Sequence, residues 1–244
     1  MQPRTRERID EFWAQCLGCA PRPLSANDVT VMAHAGLGDY RGVYLLRRGD
    51  AVVLSVPAAF ADLLREAVRG LRAADVAEAS FLTRALASAA GEVIGPTYLG
   101  YADGSSFVAR GSDRARLLGP ADRPALERLR EAVAREEWER GNLDPDRPPI
   151  SGIFESDSLL AAAGYETLLG SVAHLGVVTH PRHRGEGLGR EAASAAAERA
   201  LERELILQWQ TSEQNRPALR IAERLGFERY ASSLTVELDL RSAR

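Results

Sequence analysis

The residues best suited to chemistry lie in one stretch, Leu175-Gly176-Val177-Val178-Thr179-His180-Pro181-Arg182-His183-Arg184-Gly185-Glu186-Gly187-Leu188-Gly189-Arg190. A β-branched run enters a basic, glycine-rich turn, and the turn opens an alanine-rich segment. That combination makes an anion site. The first turn of a helix offers unpaired N–H groups and a partial positive charge. Glycine allows positive φ and lets the backbone approach an anion's oxygens closely. Arg182, Arg184 and Arg190 add charge in a fixed planar fork.

The elements that must hold this turn follow from periodicity. Upstream, Ser171 to Thr179 reads as a strand, and Gly187 to Glu204 as the helix that follows. Ile150 to Glu155 and Leu159 to Glu166 read as two strands joined by Ser156-Asp157. Before them come a short strand, Ala115 to Leu118, and a helical region from Ala121 to Arg140, broken by Pro145, Pro148 and Pro149. Downstream, Leu205 to Thr211 is a strand, Arg216 to Leu225 a helix ended by Gly226, and Phe227 to Leu240 a last strand or hairpin.

Spacing decides among phosphate-binding designs. A P-loop requires Lys, and all 31 Lys+Arg residues of this chain are Arg. A dinucleotide turn requires G-x-G-x-x-G, but with glycines at 185, 187 and 189 the completing position is Arg190. The pattern R-x-x-G-x-G, Arg184 to Gly189, resembles the acyl-CoA signature of the GNAT family of N-acetyltransferases. Val177, Val178 and Thr179 look like that family's cofactor-pairing strand. Asn215, Ala218 and Leu225-Gly226-Phe227 look like its "N..A…lGF" segment. The resemblance runs from about Ala115 to the C-terminus. It implies an α/β fold with a mixed, mostly antiparallel sheet flanked by helices. It also implies acetyl-CoA as co-substrate, without a metal. By this likeness the Val177–Thr179 strand splays from Leu207–Gln210, and the pantetheine arm pairs in the opening like an added strand. Arg182, Arg184, Gly185, Glu186, Gly187, Leu188, Gly189 and Arg190 hold the diphosphate, and Asn215 and Ala218 contact the arm. An N–H near Val177 or Val178 stabilises the oxyanion.

N-acetylation also needs a base for the amine and an acid for the thiolate. Where many relatives carry an acidic Tyr, this chain has Ala222. Tyr230 and Ser212 are near in sequence and could substitute. For the base, His174 lies on the strand entering the turn, in phase with Gly176 and Val178, and imidazole has a suitable pKa. Glu155, at a strand end on the expected acceptor side, is the second candidate. Glu166 and Glu213 follow, and a base acting through ordered water is an alternative. Glu136, Glu137, Trp138 and Glu139 place carboxylates beside an indole, which suits a cationic amine. The same run also fits a solvated helix face.

The rest of the chain sets bounds. Its 244 residues with 45% hydrophobic and 27% charged side chains fit a globular protein of one large domain or two small ones. A net charge of -3 gives no case for nucleic acid or an anionic membrane. The first twenty residues lack the apolar core of a signal peptide, so a cytoplasmic location is the expectation. Cys16 and Cys19 form a C-x-x-C pair at the end of an amphipathic helix carrying Ile9, Phe12 and Trp13, with no second pair at zinc spacing. Further on, strands are expected at Val29–Met32, Gly42–Leu46 and Ala51–Ser55. A helix from Pro57 to Leu71 carries Leu63, Leu64, Val68 and Leu71 on one stripe, and another spans Ala77–Ala89. Short strands close this half at Ile94–Tyr101 and Phe107–Ala109. His34, Asp39 and Tyr40 form no recognisable constellation. The half is faintly similar to part of a second acetyltransferase fold but has no R-x-x-G-x-G turn.

The expected organisation is an α+β accessory domain at 1–110 and a GNAT acetyltransferase domain at 111–244. The expected activity is acetyl transfer to a primary amine, of a small molecule rather than of protein. A homodimer is compatible with the sequence. A catalytically weak CoA-binding sensor of the same fold is the alternative, and Ala222 is its supporting feature.

Overall fold

The structure is a computed structural model that describes residues 1–21, 24, 28–34, 40–111, 114–146 and 149–239. Asp39, Pro148 and Leu240 lie outside the described residues. In chain order the elements begin with α1 Pro3–Leu17, β1 Val29–Ala33, β2 Val43–Arg48, β3 Ala51–Val56, α2 Ala58–Ala67, α3 Ala73–Val76, α4 Ala79–Leu86 and β4 Ala90–Ala102. They continue with β5 Ala115–Leu117, α5 Arg123–Ala132, α6 Arg135–Gly141, β6 Ile150–Glu155, β7 Ser158–Leu168, β8 Val172–Thr179, α7 Leu188–Leu201, β9 Ile206–Ser212, α8 Arg216–Arg224 and β10 Glu228–Leu238. The class is α/β with mostly antiparallel sheet and flanking helices, as the resemblance implies.

The chain divides into two compact units. The first comprises residues 1–2, 100–210 and 215–228; the second comprises 3–99, 211–214 and 229–244. In the second unit the strand order is β1-β3-β2-β10-β4. β2 and β3 form an antiparallel hairpin around Gly49-Asp50, and β1 joins β3 in parallel from Val29↔Val52 to Ala33↔Val56. Val52, Leu54 and Val56 of β3 face Phe60, Ala61 and Leu64 of α2 in one apolar core. α1 buries Ile9, Phe12 and Trp13 at helical spacing, as expected. Asp10 of α1 accepts hydrogen bonds from Arg48 and from the Tyr230 hydroxyl.

Five details of the sequence reading change. The helix after β3 stops at Ala67, and Gly70 turns the chain with φ +74°, so its buried stripe is Phe60, Ala61, Leu64 and Val68. Leu63 and Leu71 are 48% and 41% exposed. The expected Ala77–Ala89 helix begins only at Ala79, because Glu78 is extended, and gives way after Leu86 to a 3-10 turn, Ala87–Ala89. Ile94–Tyr101 belongs to one long strand, β4. Phe107–Ala109 is not a strand: Asp103 Oδ1 accepts the N–H groups of Ser105 and Ser106, curling the chain into a side-chain-capped turn. The Ala121–Arg140 region divides at Val133, which is extended and separates α5 from α6.

In the first unit, β9-β8-β7-β6-β5 lie side by side. β8 pairs antiparallel with β7 along its whole length, from Val172↔Leu168 to Thr179↔Ala161. One face of these strands carries α7, whose Ala192, Ala193, Ala196, Ala197 and Ala200 are all buried. Small side chains let that helix lie close to the sheet, and alanine favours the helix intrinsically. The other face carries α5, where Leu126, Leu129 and Ala125 meet Val178, Leu159 and Ala162.

Candidate active site

The site is built where β8 leaves β9. The two strands pair in parallel only at Val172↔Ile206, Ala173↔Leu207 and His174↔Gln208, although β8 runs on to Thr179 and β9 to Ser212. His180 N–H donates to Leu160 O of β7 at 2.8 Å. Because backbone groups alternate sides along a strand, the N–H groups of Val177 and Thr179 point away from β7, toward the side β9 has vacated. A fork in a parallel pair therefore exposes main-chain donors of the kind an extended ligand can pair with.

The glycine turn stands at the open end of the fork. Gly185 and Gly187 have φ of +85° and +87°, and a side chain on either would meet nothing within 4 Å. These backbones are glycine conformations with open space around them. Arg190 and Glu191 N–H both bond Gly187 O at 3.1 Å, the first bonds of α7. The amides of Leu188 and Gly189 precede them and project from the helix end. Gly189 has a packing role as well: a Cβ there would come within 2.6 Å of Thr179 Oγ1 and 3.6 Å of Val177 Cγ2. Its absence seats the α7 N-terminus directly against β8.

Charges around the turn are partly spoken for. Arg182 is exposed. Arg184 reaches Glu137 of α6 at 2.6 Å. Arg190 Nε is buried without a hydrogen-bond partner among the described residues. Glu191, buried in the first turn of α7, is held at 2.7 and 2.8 Å by both carboxylate oxygens on Arg114. This bidentate pair offsets a negative charge that would otherwise oppose an anion at the turn.

On the α6 face, a polar row crosses the last rung before the fork. Glu166 of β7 is in register with His174, and His174 with Gln208. His174 Nδ1 lies 2.8 Å from Gln208 Oε1, and Gln208 Nε2 bonds the Tyr101 hydroxyl. Burial pushes the His174 pKa below its ordinary value, against smaller upward effects of Gln208 and Glu166. Gly176 sits so close to Gly141 O that any side chain would collide with it, which clamps the end of α6 onto β8. Beside the row is a cavity of about 70 Å³ lined by Asn142, Leu143, Asp144, Ile150, Gly164, Tyr165 and Glu166.

The predicted residues are therefore gathered unevenly. Val177, Val178, Thr179 and the turn from Arg182 to Arg190 form one continuous feature, with His174 at its inner end. Glu155 does not join them. It ends β6 opposite Ser158, whereas His174 is opposite Glu166, eight β7 residues away, or roughly 25 Å. Asn215 caps α8, its Oδ1 accepting Ala218 N–H at 3.3 Å. Ala222 is fully buried. Tyr230 donates to Asp10, and burial raises its pKa. Ser212 Oγ accepts Gln214 N–H. Glu136 and Glu139 are exposed, and Glu139 pairs with Arg135. His34 is bonded to Ser55 Oγ and Gly42 O. Cys16 and Cys19 are free thiols, and burial raises the Cys16 pKa to about 11. Gln208 and Tyr101 were not anticipated, although a lone Gln inside Ile206-Leu207-Gln208-Trp209 is a legible signal.

Residues 116–227 match the model of the acetyltransferase (GNAT) family. An acetyltransferase of the GNAT family from Colwellia psychrerythraea superposes with a TM-score of 0.51 at 17% identity, over 65% of this chain and 61% of its own. A GCN5-related N-acetyltransferase from Kribbella flavida gives 0.50 at 18%, over 66% and 63%. The chain thus spans less than two thirds of the length of either, and the likeness is one of fold. No curated protein sequence matches the chain. No helix among the described residues is long and apolar enough to cross a membrane.

Proposed function

We propose, from the match of residues 116–227 to the acetyltransferase (GNAT) family, that the protein moves an acetyl group from acetyl-CoA to the primary amine of a small molecule. The observation that carries this reading is the fork: β8 parts from β9 after His174 and runs to a turn with two positive-φ glycines. These residues fit acetyl-CoA. Val177 and Thr179 offer main-chain N–H groups to an amide-bearing arm. The amides of Gly187, Leu188 and Gly189, with Gly185 and Glu186 completing the turn, suit a diphosphate. Arg182, Arg184 and Arg190 supply countercharge, and Val178 packs the strand onto α5.

Acetyl-CoA supplies an activated acyl thioester. Val177 N–H is the donor best oriented to hold the carbonyl oxygen as negative charge develops. His174, kept neutral by burial, takes the proton of the attacking amine. Asp144 and Glu166 line the neighbouring cavity and favour a cationic amine nearby. With Ala222 in place of a hydroxyl, the leaving thiolate draws its proton from water. Residues 1–110 act as an accessory domain, and the protein works in the cytoplasm.

Two measurements test this. Calorimetry should show coenzyme A binding, and thiol release from acetyl-CoA should appear with at least one small amine. Tight binding without turnover of any amine favours a CoA-sensing module, the reading Ala222 supports. No binding at millimolar coenzyme A ends both.

A further inference from the structure

Buried polar side chains call for an explanation, since burial is costly unless each group is satisfied. Gln208 is 2% exposed and Tyr101 is fully buried. Neither approaches the glycine turn. Both lead to one atom, His174 Nδ1.

We propose that Gln208 and Tyr101 are positioning residues that fix His174 as its Nδ1–H tautomer and so leave Nε2 as the free base. The proposal rests on the reading of His174 as the base. An amide nitrogen only donates, and here Gln208 Nε2 donates to the Tyr101 oxygen. The Gln208 carbonyl oxygen is thereby turned toward His174. A carbonyl only accepts, so the proton between Gln208 Oε1 and Nδ1 belongs to the imidazole. A neutral imidazole has one N–H, so the lone pair is on Nε2. That nitrogen makes no hydrogen bond among the described residues. A neutral amide is the fitting partner. It sets the tautomer without the strong rise in pKa that a carboxylate would cause, which leaves imidazole unprotonated near neutral pH. The charged groups that face the ring are few. Glu166 stands across from it on β7, Asp144 shares the adjoining cavity, and Glu137 of α6 is paired with Arg184.

Histidine-selective ¹⁵N NMR of the full chain reads the tautomer directly, with His174→Ala identifying the His174 signals among the 4 histidines. The expected spectrum above the titration range shows a protonated Nδ1 and a bare Nε2. In Tyr101→Phe, Gln208 loses the acceptor that orients it, and the two tautomers should mix. Gln208→Leu should lower kcat about tenfold or more with KM for acetyl-CoA unchanged. Its acid limb should move to lower pH, since a hydrogen bond that favours imidazolium is gone. Gln208→Glu should restore the Nδ1–H form and move that limb to higher pH. A wild-type spectrum with the proton on Nε2 means that the network runs in reverse, and it overturns the proposal. So does an unchanged tautomer in both Gln208→Leu and Tyr101→Phe. If the lock is seen but His174→Ala keeps full turnover, the base reading fails instead, and the two failures are distinct.

Discussion

Among the described residues each compact unit has a parallel strand pair, and the two end differently. β1 and β3 stay in register through all five residues of β1, and β3 passes at Pro57 straight into α2. β8 and β9 make three paired rungs, part while both strands continue, and β8 passes through a glycine turn into α7. Both are strand-then-helix connections over an apolar core. In the first, the paired rungs run the full length of β1, and the strand–helix junction has no glycine. In the second, the ladder stops before β8 reaches the glycine turn at the N-terminus of α7. An unpaired main-chain donor is costly unless water or a ligand satisfies it. The β8–β9 pair therefore keeps open, between its own two strands, an edge that β1 and β3 close between theirs.

The most severe way to break the contrast is Gly187→Trp. The indole would occupy the space that is now open, and φ of +87° would be strained for any L-residue. Loss of two or more charge-assisted bonds to a diphosphate should weaken coenzyme A binding by about a hundredfold or more in calorimetry. Gly70→Ala is the matching change in the other unit, at φ +74° after α2. It should lower the melting temperature slightly and leave the affinity for coenzyme A unchanged. Equal loss in both variants would mean that the glycine turn has no special role.

His174→Ala tests the inner end of the fork. Turnover should fall by about a hundredfold, the usual contribution of a positioned base, with coenzyme A affinity retained. The pH dependence has a definite sign. Burial lowers the folded-state pKa of His174, so the competent neutral form persists below the ordinary histidine range. The acid limb of kcat/KM should therefore lie below about 6.5. The same shift makes the unfolded chain the better proton acceptor. Stability from this group is full above the unfolded-state pKa and is lost as pH falls through the folded one. His174→Ala should flatten that loss in acid melts.

How far the sequence foretold this depends on whether the signal is local. The β-branched run Val177-Val178-Thr179, the glycine spacing and the alanine-rich α7 are all local, and each appears where expected. Leu63 was misplaced because the buried stripe of the helix runs through Phe60, Ala61 and Leu64 and leaves it on the solvent side, and Leu71 because the helix stops and Gly70 turns it away. Phe107–Ala109 looks strand-like by composition, yet the Asp103 turn takes over. Pairing is the least legible property. Nothing within β8 says that β9 leaves it after His174, and nothing near Gln208 says that its partners are residues 34 and 107 positions away. The separation of Glu155 from His174 is equally illegible, since it follows from register alone.

Asn215 separates two roles at the far side of the fork. As the α8 cap its side-chain oxygen already serves Ala218 N–H. Asn215→Ala should cost about 1 kcal/mol of stability in denaturant melts, as cap removal usually does. Asn215→Ser keeps a capping oxygen and should restore most of that. If coenzyme A affinity follows stability in both variants, capping is the whole role. If Asn215→Ser is stable but binds weakly, the amide also touches the arm.

The mildest change concerns the ion pair between Arg184 and Glu137, half-exposed on both sides. Such pairs contribute only about 0–1 kcal/mol, so breaking this one barely alters the fold. Its effect on the turn is electrostatic. Glu137 holds the guanidinium on the α6 side and adds a negative charge near where a diphosphate would rest. Glu137→Gln removes that charge and frees Arg184 for the ligand, so coenzyme A affinity should rise about twofold to fivefold at low salt. The gain should shrink as ionic strength rises and the Debye length falls to about 8 Å. A drop in affinity would mean the reverse: that Glu137 pre-orients Arg184, and that the second unit's closed strand pair differs from the fork in lacking this clamp as well as the glycines.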